Sequence, residues 1–173
     1  MEAYQPTEAE LCQIDALVDA ERARLRAVHN AWVAAAGSPP SAGILVKHPG
    51  GGVWMAEQTE RGKVVLCDVG GKAERVDATA WDTAVRECRE ECGIDFSDRL
   101  LSPHDDVLPL KKRDGETFGV VFVVESYQTP KMTGDKRVLR HCLVRGAVDV
   151  SALHPRLRFA CGMQSKMRAL VAQ

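Results

Sequence analysis

Aromatic side chains are scarce in this chain, 5% of 173 residues, which narrows the choices for stacking on a base to Trp54, Phe118 and Tyr127. Excess charge of either sign is also absent. With 23 Lys and Arg against 24 Asp and Glu, the formal net charge is −1, so no general attraction to nucleic acid or to a membrane surface is expected. No apolar run approaches the ~20 residues needed to span a bilayer. The opening residues, MEAYQPTEAEL, carry neither a basic stretch nor a hydrophobic one of the kind that directs secretion. The six cysteines (Cys12, Cys67, Cys88, Cys92, Cys142 and Cys161) include no CxxC pair and sit mostly in apolar stretches. They read as buried, reduced thiols in a cytoplasmic protein. Cys88 and Cys92 could join His104 or His141 around zinc, but structural-zinc spacings are lacking. The glycines Gly50, Gly51 and Gly52 are not followed by the Gly-Lys-Ser/Thr of a phosphate-binding P-loop, so they read as a turn.

What the chain does have is a dense acidic helix. Glu87, Glu90 and Glu91 fall within an arc of about 100° on a 3.6-residue helix, close enough to share one ion. Trp81, Val85, Cys88 and Cys92 form a narrow apolar stripe beside them, which docks the helix and aims the carboxylates. Thr79 with Asp82 reads as an N-terminal cap with an acidic third residue, and Gly93 suits the left-handed position that closes a helix. Crowded carboxylates repel unless a positive charge sits among them, and a hard divalent cation is the usual resident. The plainer reading is a solvated helix whose acids pair with Arg86 and Arg89.

The whole string decides between these readings. Gly71, Asp77, Arg86, Glu87, Glu90, Glu91, Gly93 and Ile94 together resemble the signature of the Nudix hydrolases, whose helical half reads Arg-Glu-x-x-Glu-Glu-x-Gly and then an aliphatic residue. The helical half alone would arise by chance about once in ten thousand chains of this length. Two features depart from the family pattern. Asp77 and eight residues precede Arg86 where the family has Glu and seven residues, and Val69 stands where proline commonly precedes the paired glycines. The resemblance implies one to three Mg²⁺ or Mn²⁺ ions held by Glu87, Glu90 and Glu91 with a backbone carbonyl near Gly71. It also implies that Asp77 pairs with Arg86 and braces the loop against the helix.

Along the rest of the chain, Thr7 and Glu10 form a second capping pair, and helical periodicity runs to about Gly37. Leu11, Ile14, Val18, Leu25, Val28, Trp32 and Ala35 follow heptad steps, interrupted where Glu21 takes an apolar slot. Such a helix, about 40 Å long, either packs on its own domain or forms a homodimer seam. Residues 1–37 are therefore set apart from a domain over 38–173. In that domain Ile44–Val46, Val53–Met55, Val64–Val69, Val107–Lys111, Thr117–Tyr127 and Val138–Val148 read as strands, and Cys161–Val171 reads as a closing helix. The unalternating run Val120 to Val124 is expected to be central and buried on both faces. This order implies an α/β protein, a layered α/β/α sandwich with a mixed sheet plus a long N-terminal helix, whose specific topology the Nudix resemblance supplies.

The chemistry implied is hydrolysis of a phosphoanhydride in a nucleoside diphosphate linked to another group, such as a nucleoside triphosphate, nucleotide sugar or dinucleotide. Cations bound by the carboxylates would bridge phosphate oxygens and activate water. Which glutamate acts as base stays open, with Glu125, Asp135 and His141 as candidates outside the signature. Lys72, after the paired glycines Gly70 and Gly71, could reach a phosphate, and those glycines let the backbone come close to an ion or phosphate. Lys111, Lys112 and Arg113 near the Asp114-Gly115 turn, and Lys131, Lys136, Arg137 and Arg140 near the loop after the long apolar strand, are further candidates for substrate contact. The alternatives are removal of a cap or diphosphate from an RNA 5′ end, and a Nudix-like module that binds a nucleotide without cleaving it.

Overall fold

A computed structural model describes residues 7–35, 40–99, 106–112, 114–135, 137–158 and 169. Strand β1, Ser41–Lys47, organises a seven-stranded mixed sheet. One of its edges pairs in parallel with β6, Thr117–Glu125, from Ala42 opposite Val120 to Lys47 opposite Glu125. The other edge is shared. Val46 and Lys47 pair with the start of β2, Val53–Glu60, while Ser41 to Ile44 pair with β4, Val69–Lys72, both antiparallel. β3, Lys63–Cys67, and β7, Val138–Val144, flank β2, and β5, Asp106–Lys111, closes the far side against β6.

The single strand expected over Val64–Val69 is thus two. The chain leaves β2 at Cys67, passes the buried Asp68, and joins β1 from Val69 onward. This crossover delivers Gly70 and Gly71 to the edge of the central strand. β2 also runs beyond the expected Met55 because Arg61 and Gly62, at φ 50° and 76°, make a two-residue turn into β3. Both positions need positive φ, and Arg is an unusual first residue for such a turn. The glycine turn behaves as expected, with Gly51 donating to the carbonyl of His48, and Asp114-Gly115 closes the hairpin between β5 and β6. β6 lies inside the sheet, and Val120 to Val124 are buried on both faces as the sequence implies.

Each face has its own core. Helix α2, Ala80–Cys92, lays Trp81, Ala84, Val85, Cys88 and Cys92 over Ile44, Val46, Val69, Val120 and Phe122. Trp81 meets Phe122 edge to face at 5.1 Å. On the opposite face Leu45, Met55, Val121 and Val123 pack under Leu153 and Leu157, carried by a 3-10 turn, Val150–Ala152, and a short helix α3, Pro155–Arg158. Burying each such side chain contributes about 1.5–3 kcal/mol. The closing helix expected over Cys161–Val171 lies outside the described residues, Ala169 excepted.

Helix α1, Glu8–Ala35, starts at the predicted cap: the Thr7 N–H donates to Glu10 Oε2 at 2.8 Å. Its described apolar residues Leu11, Ile14, Leu17 and Val18 are all exposed. At α2 the cap is complete. The Asp82 N–H donates to Thr79 Oγ1 at 3.1 Å and the Thr79 N–H to Asp82 Oδ2 at 2.8 Å. Gly93, at φ 69°, stops the helix in the left-handed conformation. Replacing Thr79 with Ala should destabilise the protein by about 1 kcal/mol in urea unfolding, because the first turn of the site helix loses its acceptor.

Candidate active site

Packing of its apolar stripe on the sheet fixes the rotation of α2, and that rotation turns Glu87 and Glu91 toward β4. Both are buried, whereas the Glu90 side chain is 54% exposed. Gly71 is needed here because a Cβ at that position would collide with the Glu87 carboxylate. Gly70 is used differently: its N–H donates to Glu91 Oε2 at 3.1 Å, so this donor is already spent within the protein.

Arg86 gathers the loop and the helix around itself. Its Nε donates to Asp77 Oδ1 at 3.1 Å and its Nη2 to Asp77 Oδ2 at 3.0 Å. Nη2 also donates to the Lys72 carbonyl at 2.9 Å, while Nη1 reaches Glu87 at 2.9 Å and Glu90 at 3.3 Å. Asp77 is further held by the Thr83 hydroxyl at 3.0 Å and the Glu74 N–H at 2.8 Å. The brace between Asp77 and Arg86 is therefore bidentate and nearly dry. The Arg86 guanidinium, with help from these other donors, holds the Asp77 carboxyl down at about 2. Burial pushes Glu91 up to about 7, although the nearby Arg137 and the Gly70 N–H pull the other way.

Arg137, expected as a substrate contact, reaches Glu91 Oε1 at 3.1 Å and Asp135 Oδ2 at 2.9 Å, its side chain 64% exposed against 1% for Glu91. The loop that carries it is tied to the end of α2. The Lys131 N–H donates to the Cys92 carbonyl at 2.8 Å, and the Thr133 hydroxyl to the Glu90 carbonyl at 2.5 Å. His141 joins the same end, with Nε2 3.1 Å from the Glu91 carbonyl. A carbonyl only accepts, so Nε2 carries the proton and Nδ1 is left a buried acceptor without a partner among the described residues. Sequence reasoning gave no hint of Thr133, which lies 43 residues from its partner.

Other candidates sit apart or are engaged elsewhere. Lys72 and Lys131 are exposed, and Lys136 and Arg113 lie outside the described residues. Lys112 pairs with Glu116 at 2.6 Å, Arg140 with Glu57 at 2.7 Å, and Glu125 with Lys47 at 3.9 Å. Of the aromatic candidates, Trp54 and Phe118 are packed against the two cores and Tyr127 is exposed. Cys12, Cys67, Cys88, Cys92 and Cys142 are free thiols, and Cys88 and Cys92 lie with sulfurs 3.3 Å apart. His104 and Cys161 are outside the described residues.

Three carboxylates and a glycine backbone form an all-oxygen donor set, which fits a hard divalent cation. Among the described residues no three acidic, histidine or cysteine side chains converge on one point. Instead, arginines occupy the places of positive charge: Arg86 between Glu87 and Glu90, and Arg137 on Glu91. Glu90 and Arg137 are exposed enough to turn without disturbing the core.

Comparison with known proteins identifies the family of the fold. The NUDIX domain family matches residues 37–157, and the chain belongs to that family. It is a hydrolase of the Nudix type, a class that acts on nucleoside diphosphates linked to another moiety and generally uses a divalent metal. Among solved structures, MutT in a study of the Aliivibrio salmonicida and Vibrio cholerae enzymes shares 14% identity, at a TM-score of 0.50, over 77% of this chain and 96% of that one. The Nudix hydrolase RenU from M. smegmatis shares 16% identity over 76% and 84% of the two chains, at a TM-score of 0.49. A MutT protein from Methanosarcina mazei Go1 shares 16% over 75% and 96%, also at 0.49. No curated protein matches the chain.

Because the folded Asp77 carboxyl titrates below its ordinary value of 3.8, the stability it contributes is present above about pH 4 and is lost as pH falls toward 2. Asp77→Asn should therefore lower the melting temperature at pH 7 and flatten the melting profile between pH 4 and 2, measured by circular dichroism. An unchanged acid limb would remove Asp77 from the brace.

Proposed function

We propose that this protein hydrolyses the phosphoanhydride bond of a small nucleoside diphosphate derivative, a nucleoside triphosphate, nucleotide sugar or dinucleotide, with Mg²⁺ or Mn²⁺. The observation that carries this reading is the pair of buried carboxylates, Glu87 and Glu91, turned toward the glycines of β4 with their charge compensated, among the described residues, by Arg86 and Arg137. Glu87, Glu90 and Glu91, with the Gly71 backbone, are the residues that would hold the ions. Bound there, such ions polarise phosphate oxygens and activate water.

The chain's own residues do the rest. Arg86 and Asp77 keep the loop after β4 fixed against α2, which holds Glu87 and the Gly71 backbone in place. Arg137, its side chain 64% exposed, is the counter-charge on Glu91 and in this reading would also serve a substrate phosphate. Lys72 and Lys131, exposed at the two ends of the site, are further phosphate contacts in this reading. The near-zero net charge favours a small nucleotide over an RNA 5′ end. No described helix is long and apolar enough to cross a membrane, and the free thiols suit a cytoplasmic location.

Two copies are further proposed to pair antiparallel through α1. The heptad slots Leu11, Ile14 and Val18 are exposed and form one stripe. A parallel pair in register would set Glu21 against Glu21, whereas an antiparallel pair sets it against Val18 and brings Asp15 beside Arg22 of the other copy. Light scattering should give a dimer for the full chain and a monomer after deletion of residues 1–37; equal monomer masses would end this proposal.

Chromatographic separation of the phosphorylated products formed from a panel of nucleoside triphosphates, nucleotide sugars, dinucleotides and 5′-triphosphorylated RNA, each with Mg²⁺ and Mn²⁺, tests the activity. Turnover should appear with the small nucleotides and fall by about 10²-fold or more in Glu90→Gln or Glu91→Gln with the fold intact. Turnover confined to RNA would transfer the assignment to RNA 5′ ends. Wild-type rates in either variant would remove that residue from the ion shell.

A further inference from the structure

Beneath the site, on the opposite face of the sheet, lies an ion pair that the chemistry above does not use. Asp68, fully buried, stands at the crossover between β3 and β4. Arg156 of α3 clasps it with two donors, Nε to Oδ1 at 3.0 Å and Nη2 to Oδ2. The guanidinium side chain is itself only 16% exposed. Space has been cleared for this fork. A Cβ on Gly43 would strike the Asp68 carboxylate, and a Cβ on Gly70 would lie 2.9 Å from Arg156 Nη2.

Gly70 is where the pair touches the active site. One side of this residue rests against Arg156, while its N–H donates to the Glu91 carboxylate. Its neighbour Gly71 abuts Glu87. The position of two acidic residues therefore depends on where the first residues of β4 run, and that path starts at Asp68. α3 is a firm anchor for the clasp, since Leu153 and Leu157 are buried and the His154 N–H donates to the Leu66 carbonyl at 2.8 Å.

We propose that Arg156, acting through Asp68, is a positioning residue for the active site: its bidentate clasp sets the crossover into β4 and thereby holds Gly70 and Gly71 against Glu91 and Glu87. A buried carboxylate requires a partner of opposite charge, but any cation would meet that need. The planar fork adds direction, which a lysine ammonium cannot reproduce. The functional consequence rests on the proposed role of the glutamates; the geometric claim does not.

The experiment compares wild type, Arg156→Lys, and Leu157→Val, a control on the same helix that leaves the ion pair whole. Amide hydrogen exchange at Gly70, followed by NMR, reads the geometry, Mn²⁺ titration reads the carboxylates, and kcat and KM read turnover. Arg156→Lys should speed Gly70 exchange and weaken Mn²⁺ binding, each about tenfold, and lower kcat with KM little changed. Leu157→Val should lower the melting temperature and leave all of these within about twofold. Gly70 exchange at the wild-type rate in Arg156→Lys, or an equal acceleration in Leu157→Val, would overturn the proposal. Should wild type bind no Mn²⁺ and cleave no nucleotide, the hydrolase reading fails, while Gly70 exchange still decides whether the clasp positions β4.

Discussion

The constraint on which this structure depends is the removal of carboxylates from water within little more than one helical turn. Isolated buried charges cost several kcal/mol each, and like charges side by side raise that cost. Glu87 and Glu91 tolerate burial because a cation stands at each: Arg86 at the first and Arg137 at the second. The two arginines differ in kind. Arg86 is locked by Asp77 and the Lys72 carbonyl, with its side chain mostly buried, whereas Arg137 is itself 64% exposed and pairs with Asp135 and the buried Glu91. One charge is therefore built into the scaffold and the other stands at the surface.

Packing supplies the rest of that arrangement. The apolar stripe of α2 meets β1, β4 and β6 so closely that the helix cannot rotate without exposing Trp81 or Cys88. Glycines allow the acidic side of the same helix to approach β4 just as closely. Gly71 accommodates the Glu87 carboxylate and Gly70 accommodates Arg156 from the other direction. A side chain at Gly71 would push the strand away from the helix, and one at Gly70 would strike the backbone of Ala42 and Gly43. The strand after Asp68 thus works as a thin partition between two charged clusters.

What could be read from the sequence follows from distance along the chain. The whole of α2, with its cap at Thr79, its apolar stripe and its stop at Gly93, is encoded within fifteen residues, so periodicity and capping chemistry suffice to find it. The pairing of Asp77 with Arg86 is also local, and the family resemblance named it. Strand breaks were harder. Nothing in Val64 to Val69 marks the crossover except one Asp in an apolar run, and its meaning depends on an arginine 88 residues away. Thr133, and the pairing of Arg137 with Glu91, were hidden for the same reason, since charged and hydroxyl residues in a loop read as solvated until the loop is known to return to α2.

The departures from the family pattern at the loop acid can be understood together. Asp77 is one methylene shorter than the usual Glu, and one extra residue separates it from Arg86. A shorter side chain alone would fall away from the guanidinium. The longer loop compensates by folding on itself, with the Asp77 N–H donating to the Glu74 carbonyl at 3.1 Å and Asp77 Oδ2 accepting from the Glu74 N–H. That reciprocal turn carries the carboxylate to within 3.0–3.1 Å of two guanidinium nitrogens. Backbone has taken the place of a methylene, so the loop changes shape while Arg86, and through it Glu87 and Glu90, keeps a bidentate anchor.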